Sequence, residues 1–147
     1  MLFRSYNRAF FDEMGMLLEK RNEYPVSIIF ADIDDLKAVN DKYGHAAGDD
    51  LLQRTTQLLS EAFRDGDILA RIGGDEFAII LPRTDEQTAE MICGRMRETL
   101  KEYNENNPNQ PIWISYGYST CERGDLKKTV VDADQRMYQN KAERKSR

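Results

Sequence analysis

Two adjacent acidic residues lie between two short apolar segments near the middle of the chain. Residues 71–77 read Arg-Ile-Gly-Gly-Asp-Glu-Phe, and apolar residues flank them over 68–72 and 77–81. Such segments are typical of strands, so we predict a β-hairpin whose glycine pair adopts the positive φ angles of a tight turn. The hairpin would present Asp75 and Glu76 beside exposed backbone amides, where a hard divalent cation and a phosphate could both bind. A solvated turn without a ligand is the alternative interpretation.

A second acidic cluster favours a metal site. Residues 26–31 are apolar and rich in β-branched side chains, which predicts a buried central strand, and Asp32-Ile-Asp-Asp follows them. Carboxylates at the end of a buried strand are costly unless a positive group neutralises them. A calcium loop of the EF-hand type is excluded, because Leu36 and Lys37 stand where an oxygen ligand and the turn glycine belong. Magnesium fits Asp32 and Asp75 better, since it binds few carboxylates and completes its shell with water and phosphate oxygens. Mn²⁺ is a possible substitute.

The remaining chain alternates predicted helices and strands. Apolar residues at helical spacing predict helices over 7–21, 36–42, 46–63, 85–103 and 126–144, and alternation predicts a strand over 111–121. In the first helix Phe10, Met14, Leu17 and Leu18 share the apolar face. This order predicts an α/β (α+β) sandwich, with helices packed around a mixed central sheet that contains the hairpin.

Composition is consistent with one globular domain spanning residues 1–147. A chain of this length buries roughly 70% of its unfolded surface, and 40% hydrophobic with 32% charged residues is ordinary for a globular domain. The net charge of −5 argues against a nonspecific nucleic-acid binder. Cys93, Cys121 and His45 make neither a disulfide framework nor a Cys/His metal set. Without a membrane-length apolar run or a signal-peptide pattern, we expect this segment in the cytoplasm and away from membranes, although a parent protein could be membrane-anchored.

Four ordered motifs resemble the GGDEF family of diguanylate cyclases. Residues 73–77 are Gly-Gly-Asp-Glu-Phe, and residues 32–49 resemble the Asp-x-Asp…Lys-x-x-Asn-Asp…Gly-His-x-x-Gly-Asp segment of that family. Residues 115–117 match its Ser-x-Gly, and residues 133–141 resemble its closing Ala-Asp…Tyr-x-x-Lys helix. The resemblance covers residues 7–145 and implies a ferredoxin-like palm, as in nucleotidyl cyclases and polymerases. It implies that two GTP molecules condense into cyclic di-GMP and two pyrophosphates at a homodimer interface. Each half-site would bind two Mg²⁺ ions.

The resemblance also implies roles for residues around the acidic clusters. The backbone carbonyl of Ile33 would be a further metal ligand, and Glu76 would lie beside the reacting oxygens. Asn40 and Asp49 would read the guanine edge, where a carboxylate can accept from donors that adenine lacks. Read alone, Asp49 could cap a helix or be an acid of its first turn, and Asn40 could be a surface residue of a helix.

Phosphate contacts are expected from two directions. Lys37 and the backbone over 35–37 lie near the start of a predicted helix, where amide groups favour anions, and Leu36 and Asp41 belong to the same substrate-binding segment. Lys141 and Lys145 are four residues apart and share a helical face, so both could reach one triphosphate. A solvated basic helix end is the alternative. The family's usual Gly-Arg is Arg144-Lys145 here, which loses a bidentate guanidinium at the second position.

A possible regulatory site precedes the hairpin. Arg64 and Asp67 match the Arg-x-x-Asp at which many relatives bind product, and Arg95 is a candidate partner on the next helix. Noncompetitive inhibition by cyclic di-GMP is the corresponding prediction. The alternative is a helix-to-strand turn held by an incidental ion pair.

Two other functions are compatible with these motifs. One is a silent receptor for cyclic di-GMP or GTP, and the other is a dimerising signalling domain without nucleotide. The intact Asp32, Asp75, Glu76 and Lys141 favour the enzyme. Residues 1–6 lack the Thr-Gly of the family's opening motif, and we expect sensory or dimerising segments in a longer parent protein.

Overall fold

The computed structural model describes residues 8–145, which form five helices and four strands. In chain order these are α1 (Arg8–Lys20), β1 (Val26–Ile33), α2 (Leu36–Tyr43), α3 (His45–Ala62), β2 (Ile68–Arg71), β3 (Glu76–Leu81), α4 (Glu86–Asn106), β4 (Ile114–Cys121) and α5 (Lys127–Lys145). Every predicted segment is present, with ends shifted by up to three residues. Residues 1–6 and Asn7, the predicted start of the first helix, lie outside the described residues.

The strands form one sheet in the order β2-β3-β1-β4, and every neighbouring pair is antiparallel. The predicted α+β architecture is confirmed, but the predicted mixed sheet is wrong in this detail. The chain reversal at the hairpin makes β3 antiparallel to β2, and because β3 inserts between β2 and β1, no two parallel strands are neighbours in the sheet formed by residues 8–145.

The central strand β1 separates two apolar clusters. All eight of its residues are buried. Ile29, Ala31 and Ile33 face the cluster shared with α3 and α4, whereas Ile28 and Phe30 face the cluster shared with α1 and α5. Since side chains alternate along a strand, Asp32 belongs to the α1/α5 side of the sheet.

Helix α1 buries a residue that the sequence pattern did not select. Phe11 is 2% exposed, and its ring lies edge-on to Phe30 with centroids 5.7 Å apart, while Phe10 and Leu17 are only half-buried. The buried stripe is therefore rotated by about one residue from the predicted face.

Helix α5 lies directly on β4 because Gly117 leaves room for it. A Cβ atom at Gly117 would lie 2.2 Å from the backbone nitrogen of Met137 and 2.6 Å from the carbonyl oxygen of Ala133. No side chain fits at such distances, so this glycine sets the depth at which α5 packs.

The predicted hairpin is confirmed, but its glycines serve a different purpose from the one expected. Residues 72–75 connect β2 to β3, and neither Gly73 nor Gly74 has a positive φ angle. A Cβ atom at Gly74 would meet nothing within 4 Å, so the backbone there is open to an approaching group. Arg71 holds the turn by donating from Nε to the Gly73 carbonyl at 3.2 Å and from Nη2 to the Gly74 carbonyl at 3.0 Å. No helix within residues 8–145 has the length and apolarity needed to cross a membrane.

Candidate active site

Asp32 and Lys141 form a buried ion pair between the sheet and α5. The Lys141 Nζ donates to Asp32 Oδ2 at 2.6 Å, and Asp32 is only 4% exposed. Burial raises the pKa of Asp32, the neighbouring Asp75 raises it further, and Lys141 lowers it, for a pKa of about 6. Burial alone would lower the pKa of Lys141, but the hydrogen bond to Asp32 and the nearby acids raise it.

The hairpin brings Asp75 to the same place. The backbone carbonyl of Asp75 accepts the N–H of Ile33 at 2.9 Å, which fixes the hairpin tip beside the end of β1. Glu76 is paired with Asp32 across β1 and β3. The structure thus brings together Asp32, Ile33, Asp75 and Glu76, which belong to two segments more than forty residues apart in the sequence.

The acidic cluster has the chemistry of a site for a hard cation. Asp32 Oδ1 is buried and has no hydrogen-bond partner among residues 8–145. An orphaned carboxylate oxygen beside a second carboxylate is costly, and a divalent ion would satisfy both. No group of three or more metal-binding side chains occurs in the described part of the chain, so water and phosphate oxygens would have to supply most of the shell, as Mg²⁺ prefers.

A cleft of about 670 Å³ opens next to this cluster, and we call it the main cleft because Lys37, Lys141 and Lys145 all line it, although a neighbouring cleft of about 920 Å³ is larger. It is lined by residues from the turn after β1, from α2, from the hairpin and from the end of α5, namely Ile33, Asp34, Asp35, Leu36, Lys37, Ala38, Asp41, Asp75, Trp113, Lys141, Arg144 and Lys145. Asp35 has a positive φ of 65° and directs the chain into α2, whose first residues, Leu36, Lys37 and Ala38, line this cleft. Predicted phosphate-binding residues from both ends of the chain therefore meet in one cleft.

The predicted guanine-reading residues lie at the junction of α2 and α3, outside the lining of the main cleft. Gly44, with a φ of 93°, ends α2 and precedes α3. The Asn40 side chain packs against Gly48, where a Cβ atom would lie 1.7 Å from Asn40 Oδ1. Asp49 follows Gly48 and is exposed in the second turn of α3. Because Gly48, the residue before Asp49, has no side chain, it leaves room for the side chain of Asn40.

Glu76 also lines a second cleft on the other side of α5, together with Asp32, Asp134, Tyr138 and Lys141. Burial raises the pKa of Glu76, and the nearby Asp75 and Asp134 raise it further. A carboxylate with a raised pKa holds a proton more readily than an ordinary one.

The predicted product site is an ion pair in the turn between α3 and β2. Asp67, whose side chain is fully buried, accepts from the Arg64 backbone N–H at 3.0 Å and pairs with Arg64 Nε at 3.3 Å. Burial raises the pKa of Asp67, although Arg64 and Arg95 oppose this. Arg64 also donates to the Pro82 carbonyl and the Thr84 hydroxyl, and Arg95 donates to the Ala62 carbonyl. The Arg64 side chain remains 48% exposed in a shallow cleft that also contains Arg21 and Arg83.

Sequence reasoning missed a polar cluster at the edge of the main cleft. The Ser115 hydroxyl donates to Asp34 Oδ1 at 2.8 Å, and Arg144 Nε forms an ion pair with Asp34 Oδ2 at 3.3 Å. The Arg144 guanidinium also lies 5.5 Å from the ring centroid of Trp113. The Ser-x-Gly motif signalled that Ser115 mattered, but only the fold places Arg144 beside Asp34.

Comparison with known proteins gives the family. The family model described as "Diguanylate cyclase, GGDEF domain" matches residues 4–147. The chain belongs to this family.

Relatives of this GGDEF domain are similar in both sequence and fold. It is 30% identical over 143 residues to "Probable diguanylate cyclase DgcT" of Escherichia coli, covering 92% of this chain and 32% of that protein. It superimposes on "the active GGEEF domain of a diguanylate cyclase from Vibrio cholerae" with a TM-score of 0.81 at 28% identity, covering 95% and 93% of the two chains. A structure described as "a novel interaction mode" between a microbial GGDEF domain and cyclic di-GMP gives a TM-score of 0.76 at 28% identity, covering 94% and 88%. The chain thus spans about a third of the E. coli relative.

Proposed function

We propose that this GGDEF domain is a diguanylate cyclase that condenses two GTP molecules into cyclic di-GMP with release of two pyrophosphates. The observation that carries the proposal is the cluster of Asp32, Asp75 and Lys141, in which a buried carboxylate oxygen lacks a partner at the edge of a lysine-lined cleft. A domain that only received a ligand elsewhere would gain nothing from retaining this costly arrangement.

The triphosphate binds in the main cleft. Lys37 approaches from α2, and Lys141 and Lys145 approach from α5, so positive charge faces the phosphates from two sides. The first amide groups of α2 add neutral donors to the same region. These contacts would orient the α-phosphate and compensate for charge that develops on the departing pyrophosphate.

Asp32, Asp75 and the Ile33 carbonyl would hold Mg²⁺. When bound, the metal would supply charge stabilisation at the phosphorus centre and lower the pKa of a hydroxyl nucleophile. The partnerless Asp32 Oδ1 and the adjoining carboxylate support this assignment.

Asn40 and Asp49 select the base. The Asn40 amide can donate to the guanine carbonyl oxygen, and the Asp49 carboxylate can accept from the ring N–H and the exocyclic amine. Adenine would leave the carboxylate unpaired, which is the physical basis of the proposed discrimination.

The reaction joins two half-sites. The 3′-oxygen of one GTP attacks the α-phosphorus of the other, the bond from that phosphorus to the bridging oxygen breaks, and pyrophosphate leaves with the electron pair. The proton of the 3′-hydroxyl must be accepted, and the carboxylate of Glu76, which is paired with Asp32 across β1 and β3, is the candidate acceptor. Each domain would bind one GTP, as the resemblance implies, so catalysis requires two copies facing each other.

Product would bind at Arg64. The exposed half of its guanidinium side chain could grip a phosphate, while Asp67 holds the arginine in place from the buried side. Arg95, which bonds to the Ala62 carbonyl at the end of α3, would adjoin that site. This arrangement supports inhibition that does not compete with GTP.

Product analysis tests the proposal. Concentrated domain incubated with GTP and Mg²⁺ should form cyclic di-GMP and two pyrophosphates per product molecule by chromatography, and an Asp75→Ala variant should form neither. If the folded wild-type protein binds cyclic di-GMP but yields no product at any concentration, the silent receptor is the better function.

A further inference from the structure

The β4 edge of the sheet is covered by regularly spaced side chains from α5. Strand β4 is an edge strand that pairs with β1 on one side. On its other side, Arg136 donates to the Tyr118 carbonyl at 2.7 Å, the Tyr116 N–H donates to Asn140 Oδ1 at 3.0 Å, and Arg144 donates to the Ile114 carbonyl. We call these three contacts the edge ladder.

The ladder follows from matched spacing. Its helical members are four residues apart, which is about 6.0 Å along a helix, and its strand members are two residues apart, about 6.6 Å along a strand. Alternate residues of an edge strand direct their backbone groups away from the sheet. Three consecutive matches therefore fix both the axial position and the rotation of α5 on the strand.

The same helix carries Lys141 on the adjacent face. Ala133 and Met137 are buried against the sheet, and Lys141 continues that face by one more turn, where the sheet presents Asp32. Since Lys141 follows Asn140 directly, a slide or rotation of α5 that broke the Asn140 contact would also move the Lys141 ammonium away from Asp32.

We propose that the edge ladder of Arg136, Asn140 and Arg144 is a positioning device that holds Lys141 at the phosphate end of the main cleft. This inference rests on the proposed function for the identity of the substrate, but the geometry that it concerns is independent of catalysis. The last member also contacts the cleft wall, because Arg144 forms an ion pair with Asp34 and its guanidinium lies 5.5 Å from the ring centroid of Trp113. Protection of a strand edge from unwanted pairing is the purely structural alternative.

The test measures GTP affinity in four matched variants. Trp113, the one tryptophan of the sequence, lines the main cleft and reports Mg²⁺·GTP binding by its fluorescence. Asn140→Leu removes the acceptor without changing charge, and we expect GTP to bind roughly threefold to tenfold more weakly, as for one lost hydrogen bond. Arg136→Met should weaken binding in the same direction, Arg136→Lys should restore most of the loss, and the exposed control Lys128→Met should bind as the wild type does.

A coupled variant separates positioning from general destabilisation. If Asn140 acts through Lys141, then Asn140→Leu should cause no further loss of GTP affinity in a Lys141→Met background. An effect of equal size in both backgrounds would overturn the inference, as would unchanged affinity in Asn140→Leu itself.

A second measurement needs no nucleotide. Urea unfolding of the wild type, Asp32→Asn, Lys141→Met and the double variant gives the coupling between Asp32 and Lys141 as a ratio of unfolding equilibrium constants. In an Asn140→Leu background we expect this ratio to shrink at least twofold. An unchanged ratio would contradict the inference. Wild-type protein that binds GTP without forming cyclic di-GMP would refute the proposed enzyme and leave the positioning result intact. Should GTP not bind, the unfolding cycle alone decides.

Discussion

Lys141 and Asp32 are 109 residues apart in the sequence, yet the Lys141 ammonium donates to the Asp32 carboxylate at 2.6 Å. The contact joins the last helix to the central strand at the place where the hairpin supplies Asp75. Only one Asp32 oxygen is satisfied by it, since Oδ1 is buried without a partner among the described residues. The pair is thus half of a charge arrangement that a cation and a phosphate would complete.

Removal of the Lys141 charge should impair substrate binding. Lys141→Met deletes a charge-assisted contact worth about 1.5–3 kcal/mol, so KM for GTP should rise roughly tenfold to a hundredfold. Lys141→Arg should retain part of the affinity, and Lys128→Met serves as the charge-matched control on the same helix. Steady-state kinetics at several GTP concentrations measure the effect, and a KM equal to that of the control would show that Lys141 does not contact phosphate.

The metal-free domain should become less stable as Asp32 ionises. The pKa of Asp32 is raised in the folded state from 3.8 to about 6, so its protonated form stabilises the fold below pH 3.8 and this stability is lost as the pH rises through about 6. Because Asp32→Asn keeps a neutral side chain at every pH, its free energy of unfolding should exceed that of the wild type by roughly 1–3 kcal/mol at pH 8, and the difference should shrink towards pH 4.

Urea unfolding in EDTA at pH 4, 6 and 8 measures this difference. Addition of Mg²⁺ at pH 8 should stabilise the wild type and leave Asp32→Asn unchanged. A wild type that is more stable than Asp32→Asn at pH 8 in EDTA would mean that Lys141 compensates the buried charge completely.

Gly48 should matter for base recognition although it cannot contact a base through a side chain. A Cβ atom there would lie 1.7 Å from Asn40 Oδ1, so Gly48→Ala must displace the Asn40 side chain. We expect GTP affinity to fall and the preference for GTP over ATP to narrow, whereas alanine in a helix would otherwise favour folding. Gly15→Ala is the matched control, since its Cβ would lie 3.6 Å from its nearest neighbour, an ordinary contact. Calorimetric titration with both nucleotides distinguishes the two variants, and unaltered selectivity in Gly48→Ala would remove Asn40 from base recognition.

The helices and strands could be predicted from the sequence, but the pairing of the strands could not. Local patterns predicted the helices and strands well, because apolar periodicity and breaker residues are local properties. The strand partners were harder, since the antiparallel neighbours of β1 depend on β3 inserting beside it. The prediction of positive φ angles at Gly73 and Gly74 was wrong. The connection between β2 and β3 has four residues, so it does not need the backbone conformation of a tighter turn.

The candidate site shows the same division. Asp32, Asp75 and Lys141 could be selected from motifs, and the fold brings them together. Arg144 could not be selected, because it stands where the family usually has glycine and its partners Asp34 and Trp113 are distant in sequence. Likewise, nothing in the sequence signals that Asn140 accepts from the Tyr116 backbone, since backbone partners carry no residue identity.

Arg64 should control product inhibition. In Arg64→Ala the exposed guanidinium is lost, and we expect cyclic di-GMP to inhibit at least tenfold more weakly, the equivalent of a lost charge-assisted contact. Arg83→Ala removes an arginine from the same shallow cleft, and we expect cyclic di-GMP to inhibit this variant as strongly as it inhibits the wild type. Initial rates at varied GTP and cyclic di-GMP test this, and equal inhibition of all three proteins would leave Arg64 and Asp67 as a structural ion pair.

The dependence of product formation on protein concentration tests the central claim most directly. If each domain binds one GTP, as proposed, the rate of cyclic di-GMP formation per mole of domain should rise with concentration and level off where sedimentation shows that dimers predominate. Asp32→Asn and Asp75→Ala should stay inactive across the same range while dimerising equally. A rate per mole that does not change with concentration in a monomeric protein, or a dimer that binds GTP and forms no cyclic di-GMP, would contradict the account.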